Sequence, residues 1–116
     1  MRVVCRKCVP MVVTTARTGD EAIVSVDGDL DLTSVGAFHT AVDSLLASQD
    51  RKRLIVDLRD TDYIDSAGLE QLLVANRKLA ARGERLRVRV LPGSQPQTVL
   101  TITGFTAVMD VEPISS

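Results

Sequence analysis

Three places in the chain carry residue types that could do chemistry. The first is Ser66 in Asp62–Leu73, DYIDSAGLEQLL, where a hydroxyl follows an acid and precedes two small residues and a helical apolar pattern. The second is the C-x-x-C pair Cys5 and Cys8, and the third is the single histidine, His39. A catalytic serine needs a base within hydrogen-bond reach. An α/β-hydrolase would show G-x-S-x-G with an acid and then a histidine later in the chain. Here the context is I-D-S-A-G, and the histidine precedes the serine. No P-loop and no dinucleotide fingerprint occurs, so the chain reads as a non-enzyme. Cys5 and Cys8 are half of a zinc site without its other half. They precede the first strand, where a thioredoxin-type motif would follow one. The expectation is an N-terminal tail over residues 1–11, with a redox or metal role as the lesser reading. His39 borders an apolar stripe with no paired acid evident, which predicts a packed or solvated side chain.

Two readings of Ser66 remain open on the residues alone. As a helix cap it would accept an N–H two or three residues on, worth about 1 kcal/mol. Asp65 could cap instead, leaving Ser66 at the first helical position. As a phosphate acceptor it would sit where free N–H groups and the helix dipole favour negative charge. Acids crowd the segment: Asp57, Asp60, Asp62 and Asp65 precede the serine, and Asp29 and Asp31 lie in an earlier loop. A phosphate adds about −1.5 to −2 charges. The helix end would tolerate it, whereas a matched partner surface would not.

The elements that must position these residues follow from pattern. MVVTTAR and EAIVSVDG predict a hairpin about Gly19-Asp20. Gly28 reads as a breaker before GDLDLTS, with Asp31, Thr33 and Ser34 as competent caps. Val35, Phe38, Val42, Leu45 and Leu46 predict an amphipathic helix to about Ser48. RLIVDL (Arg53 to Leu58) reads as a buried strand and RDTDYID as a loop. Leu69, Leu72, Leu73, Asn76, Leu79 and Ala80 predict a helix from Ser66 to Arg82, ended by Gly83. RLRVRVL predicts a half-exposed strand near a sheet edge, and PGSQP a turn. A short helix over Val99–Thr103 and a last strand, AVMDV, follow. The order is β-β-α-β-α-β-α-β, a single α/β domain over residues 12–116. It predicts a mixed, mostly parallel sheet with three or so helices, covered mainly on one side. The loops holding Asp29, Asp31 and Ser66 should then share one end of the sheet.

Bulk properties narrow the partners. A net charge of −1 over 116 residues offers no nucleic-acid footprint. Only three aromatic residues, with no Trp, leave no base-stacking platform. No apolar run reaches membrane-spanning length. MRVVCRKCVPMVV is broken by Arg6, Lys7 and Pro10 and lacks a cleavage site. The expectation is a cytoplasmic protein without a cofactor.

The segments VDGDLDLTS, LIVDLRDTDYIDSAGLEQLL, LRVRVL and VLTITGF, in this order, resemble the STAS domain family, and within it the bacterial anti-sigma factor antagonists. The match runs from about Val12 to Val111. The resemblance implies partner switching in transcription and stress response. The unphosphorylated antagonist binds an anti-sigma factor that is also a Ser/Thr protein kinase, and so frees a sigma factor. Phosphorylation ends binding, and a metal-dependent Ser phosphatase resets it. It implies Ser66 as phosphoacceptor, Asp65 beside it, Asp29 and Asp31 flanking, and Ala67, Gly68, Leu69 and Glu70 on a docking helix. Glu70 departs from the small residue frequent in the family. Many members carry a further helix after the last strand, whereas this sequence stops at EPISS, which implies a monomer or weak dimer. The alternative is a STAS accessory subunit of a transporter or signalling complex, not phosphorylated.

Overall fold

Valine, isoleucine and leucine crowd short runs bounded by glycine and charge, and these runs become strands. The computed structural model describes residues 11–47 and 53–115. β1 (Met11–Thr18) and β2 (Glu21–Leu30) form the antiparallel hairpin, turning at Gly19 and Asp20. α1 (Val35–Ala47) follows, then β3 (Arg53–Asp57), β4 (Thr61–Ile64) and α2 (Ser66–Ala80). β5 (Arg87–Val90), α3 (Gln95–Ile102), a 3-10 turn (Phe105–Ala107) and β6 (Asp110–Pro113) complete the order. The sheet runs β1-β2-β3-β5-β6, with β4 also on β2, and every pairing except β1–β2 is parallel. The expected class and order hold, with one strand added.

That strand lies in RDTDYID, expected as a loop. The reason sits at Gly28, expected as a breaker. Gly28 has φ +112°, and the β2–β4 register shifts between it and Asp29. A strand glycine at such a point makes a bulge rather than an end. β2 therefore continues to Leu30, where β4 takes over the lane that β3 leaves. Buried Thr61 anchors the join, its hydroxyl donating to the Val26 carbonyl at 2.8 Å.

One face of the sheet carries the core. Val24 and Val26 of β2, Leu54 and Val56 of β3, and Val88 and Val90 of β5 pack with Phe38, Val42, Leu72, Leu79 and Leu100 from α1, α2 and α3. The alternate residues point the other way. Arg87 meets Glu112 at 2.7 Å, and Asp57 is gripped by Arg59 at 2.8 Å. The arginine–valine alternation of β5 thus reflects one helix-covered and one wetter face, on the strand next to the edge strand β6.

Burial disfavours charge on Asp57, but the Arg59 guanidinium and N–H, with the charge of Arg89, outweigh it and hold the carboxyl below its usual range. A lowered folded-state pKa gives stability that is present above the unfolded value and is lost as pH falls through the folded one. Arg59→Ala should therefore cost on the order of 1 kcal/mol near neutral pH. The gap to wild type in urea midpoint should close as pH falls below about 4, the ordinary aspartate value.

Helix ends show which residues stop the chain. Gly83 (φ +77°) ends α2, with Glu84 N–H donating to the Leu79 carbonyl at 2.9 Å and Gly83 N–H to that of Ala80 at 3.0 Å. The regular helix closes at Ala80, two residues before the expected Arg82, as frayed ends do. α3 begins at Gln95, inside the expected turn, because Ser94 caps it through an N–H···O bond from Gln97. Pro96 is tolerated there because first-turn N–H groups have no helical acceptor. The last strand starts at Asp110 rather than Ala107, which belongs to the 3-10 turn.

Candidate functional site

The C-terminal ends of β2 and β4 bring two acid-bearing loops together, as a mostly parallel sheet requires. Asp65 joins them. It is the N-cap of α2, in extended conformation (φ −109°, ψ −171°). Its Oδ1 accepts from Gly68 N–H at 3.1 Å, and its Oδ2 accepts from Leu32 N–H at 3.3 Å. Its own N–H donates to the Leu30 carbonyl at 3.3 Å. One carboxylate therefore caps the helix and ties down the loop after β2. Asp65→Ala should cost about 1–2 kcal/mol in urea unfolding. Asp65→Asn should keep the cap on Gly68 N–H but lose the bond from Leu32 N–H, since its amide has one acceptor oxygen, and so should cost less than alanine.

With Asp65 capping, Ser66 is the first helical residue. It is exposed, and its hydroxyl makes no hydrogen bond to a described residue. The cap alternative thus passes from Ser66 to its neighbour. The N–H groups of Ser66 and Ala67 have no acceptor within the helix, since the first four helical N–H groups lack one.

The expected site residues differ in burial. Asp29, Asp31 and Asp65 are half-buried around the loop junction, and Ser66 and Glu70 are exposed on the helix. Ala67 is half-buried, and Leu69 is half-buried against the core. Gly68 is buried and faces inward, so it gives the site no side chain but sets how closely α2 approaches β2. A Cβ at Gly68 would stand 2.6 Å from the Leu30 carbonyl oxygen and 2.7 Å from Ile64 Cγ1.

The acid cluster is thinner than the sequence suggests. Asp57 is committed to Arg59. The Asp31 carboxylate closes its own loop, accepting from Thr33 Oγ1 at 2.7 Å, Thr33 N–H at 3.1 Å and Ser34 Oγ at 3.2 Å. The Thr33 hydroxyl is the chief influence lowering its pKa. It acts against a desolvation cost and is helped by Ser34, so Asp31 stays ionised at neutral pH. Asp60 and Asp62 are exposed.

His39 does have an acid partner, contrary to expectation. Its Nε2 lies 2.9 Å from Asp43 one turn on, and its Nδ1 lies 3.0 Å from Gln71 Oε1 on α2. Lys78 completes the bridge to Asp43 at 2.7 Å. This is an exposed helix-to-helix contact, and it gives Ser66 no base. Cys5 and Cys8 lie outside the described residues. Among the described residues no cluster of three or more His, Cys, Asp or Glu could hold a metal. Likewise, no helix among them is long and apolar enough to cross a membrane.

Sequence reasoning missed two exposed apolar side chains at this end. Leu32, 75% exposed, stands in the loop bonded to Asp65, and Tyr63, 46% exposed, stands on β4 opposite Asp29. The signal for Leu32 was present: an apolar residue between Asp31 and two capping residues has no helical face to join. It also missed Gln95, whose side chain reaches the backbone of Ile64.

The family model described as "Mlab, STAS domain" matches residues 13–110. An anti-sigma factor antagonist from Mycobacterium paratuberculosis has a similar fold, with a TM-score of 0.78 at 21% identity over 90% of this chain and 86% of that one. A putative anti-sigma factor antagonist from Thermotoga maritima gives 0.78 at 17% identity, over 88% and 86%. The Bacillus cell fate determinant SpoIIAA in its phosphorylated form gives 0.67 at 18%, over 86% and 90%. At these identities the likeness is one of fold.

Proposed function

The chain belongs to the STAS domain family, matched over residues 13–110, and from that membership we propose that it is an anti-sigma factor antagonist switched off by phosphorylation at Ser66. The observation that carries this reading is the division of labour between neighbours. Asp65 does the capping, which leaves the Ser66 hydroxyl exposed and unneeded by the fold. A phosphate on Ser66 gains the free N–H groups and the dipole of α2. Near it stand Asp65 and the ionised Asp31, so the added charge deepens a negative surface. The fold persists while a partner fitted to the uncharged surface is repelled. The partner is an anti-sigma factor that is also a Ser/Thr kinase, and a metal-dependent phosphatase reverses the mark. Asp29, Asp31, Ala67, Leu69 and Glu70 surround the contact.

Incubation with a candidate anti-sigma kinase and ATP, followed by intact mass and peptide mapping, tests the switch. One phosphate on Ser66 is expected. Ser66→Asp should weaken binding to that partner on the order of 100-fold, since like-charge contact costs several kcal/mol. Its far-UV CD spectrum and Tm should stay close to wild type. Ser66→Ala should bind normally and resist inactivation. Unfolding of Ser66→Asp would mean that Ser66 serves the helix rather than a switch.

The second reading is an accessory subunit that docks through the same surface without modification. Exposed Leu32 and Tyr63 favour it, because apolar contacts beside Ser66 need no phosphate to act. Absence of phosphate with every cognate kinase, together with a stable complex lost in Leu32→Ala, would select it.

A further inference from the structure

Among the described residues β4 has a strand partner on one side only. β2 pairs with β3 over Glu21–Ser25 and then with β4 over Gly28–Leu30, so β4 extends the β3 lane. In that lane β3 has β5 on its far side, but β5 ends at Val90 and the chain turns through Leu91–Ser94 into α3. Among the described residues no strand backbone continues alongside Ile64. The amide of Gln95 fills the gap. Ile64 N–H donates to Gln95 Oε1 at 2.9 Å, and Gln95 Nε2 donates to the Ile64 carbonyl at 3.0 Å. A primary amide offers one acceptor and a donor side by side, as a strand backbone does, so the side chain stands in for the missing strand.

Ile64 is buried, and its peptide leads directly into Asp65. From there Asp65 reaches Leu30, Leu32 and Gly68, and Ser66 opens the helix. We propose that Gln95 is a positioning residue for the Asp65–Ser66 helix start: its amide fixes the Ile64 peptide from which both residues depart. Only a glutamine side chain meets the need. Asparagine is one methylene short, and an ionised glutamate has no donor for the Ile64 carbonyl. α3 is thereby linked to the surface around Ser66, although it contributes no residue to the docking set. The consequence for switching rests on Ser66 being the modified residue; the positioning role does not.

The test uses the full chain with Gln95→Met and Gln95→Glu, followed by 1H–15N spectra and amide exchange. Gln95→Met should shift the Leu32 and Ile64–Gly68 signals and speed exchange at Ile64 by about tenfold or more, as a local opening does. Exchange at Leu72 and Val88 should hold. Gln95→Glu should resemble methionine near neutral pH. It should return toward wild type as the carboxyl protonates and regains a donor, from an ordinary value of about 4.3. Simple loss of packing has no such pH signature. Unchanged Ile64–Gly68 signals in Gln95→Met would overturn the proposal, as would protection lost evenly across the sheet or a pH-independent Gln95→Glu. With a kinase active on the wild type, kcat/KM at Ser66 should fall in Gln95→Met while mutants on the exposed face of α1 keep it. A wild type that takes no phosphate refutes the switch, and the amide signature still decides Gln95.

Discussion

Gly68→Ala should destabilise the domain by about 3 kcal/mol, at the upper end of what overpacking costs. The added methyl would lie 2.6 Å from the Leu30 carbonyl oxygen and 2.7 Å from Ile64 Cγ1, and 3.1 Å from Leu30 Cγ. The closest of these is main chain in a paired strand, which cannot rotate aside as a side chain could. Relief requires α2 to lift from β2 at its first turn. That movement would stretch the Asp65 bonds to Leu32 and Gly68 as well. At roughly 4–6 °C per kcal/mol for a domain near this size, Tm should fall by about 12–18 °C. Gly36→Ala is the internal control. Nothing lies within 4 Å of a Cβ there, and it sits inside α1, so alanine should stabilise by about 0.5–1 kcal/mol. Equal Tm values for Gly68→Ala and wild type would show that the helix start has slack, and that the glycine serves something other than close approach.

Asn76→Ala should cost about 2–4 kcal/mol, because it strands the buried Leu86 N–H at about 1–3 kcal/mol and loses a part-buried bond to the Val108 carbonyl worth about 1 kcal/mol. Asn76 lies within the apolar stripe of α2, buried. Its Nδ2 donates to the Val108 carbonyl at 3.1 Å, and its Oδ1 accepts from Leu86 N–H at 3.0 Å. Leu86 is fully buried at the entry to β5, and Val108 leads into β6. One amide therefore stitches the helix layer to the approaches of two strands, and the network sets which end of the amide faces which group. Asn76→Leu should fare no better than alanine, although it is more apolar, since neither side chain can satisfy the pair. Urea denaturation gives the magnitude, and faster exchange at the Leu86 amide identifies the site. A leucine variant as stable as wild type would mean that water replaces both bonds.

Much of the fold is legible because its causes are local. The Val–Ile–Leu runs, the Gly19-Asp20 turn and the 3.6-residue stripe of α2 each lie within a few residues of what they determine. The errors fall where a distant group decides. Gly28 has the same composition cue as a breaker and as a bulge; β4 pairing across at Leu30 makes it a bulge. PGSQP carries turn residues, yet Ser94 and Pro96 are also good first-turn residues, and burial of Pro96 and Leu100 selects the helix. His39 gained its acid from its own helix, a signal at i,i+4 that was available.

The candidate site divides along the same line. The sequence by itself determined that Ser66 would stand at a helix start beside an acid, in a context unlike the G-x-S-x-G of an α/β-hydrolase, and which family the ordered segments resemble. Those are matters of residue type and spacing along one stretch of chain. Only the tertiary structure decided that Asp65 rather than Ser66 caps α2, and that Asp57 turns away to Arg59. It alone put Leu32 beside the helix start, and it alone completed β4 with Gln95. The physical reason is that a carboxylate or amide satisfies whichever donor lies within about 3 Å. For Asp65 and Leu32, or Gln95 and Ile64, the partner is more than thirty positions away in the chain, and the packing of sheet and helices sets that distance.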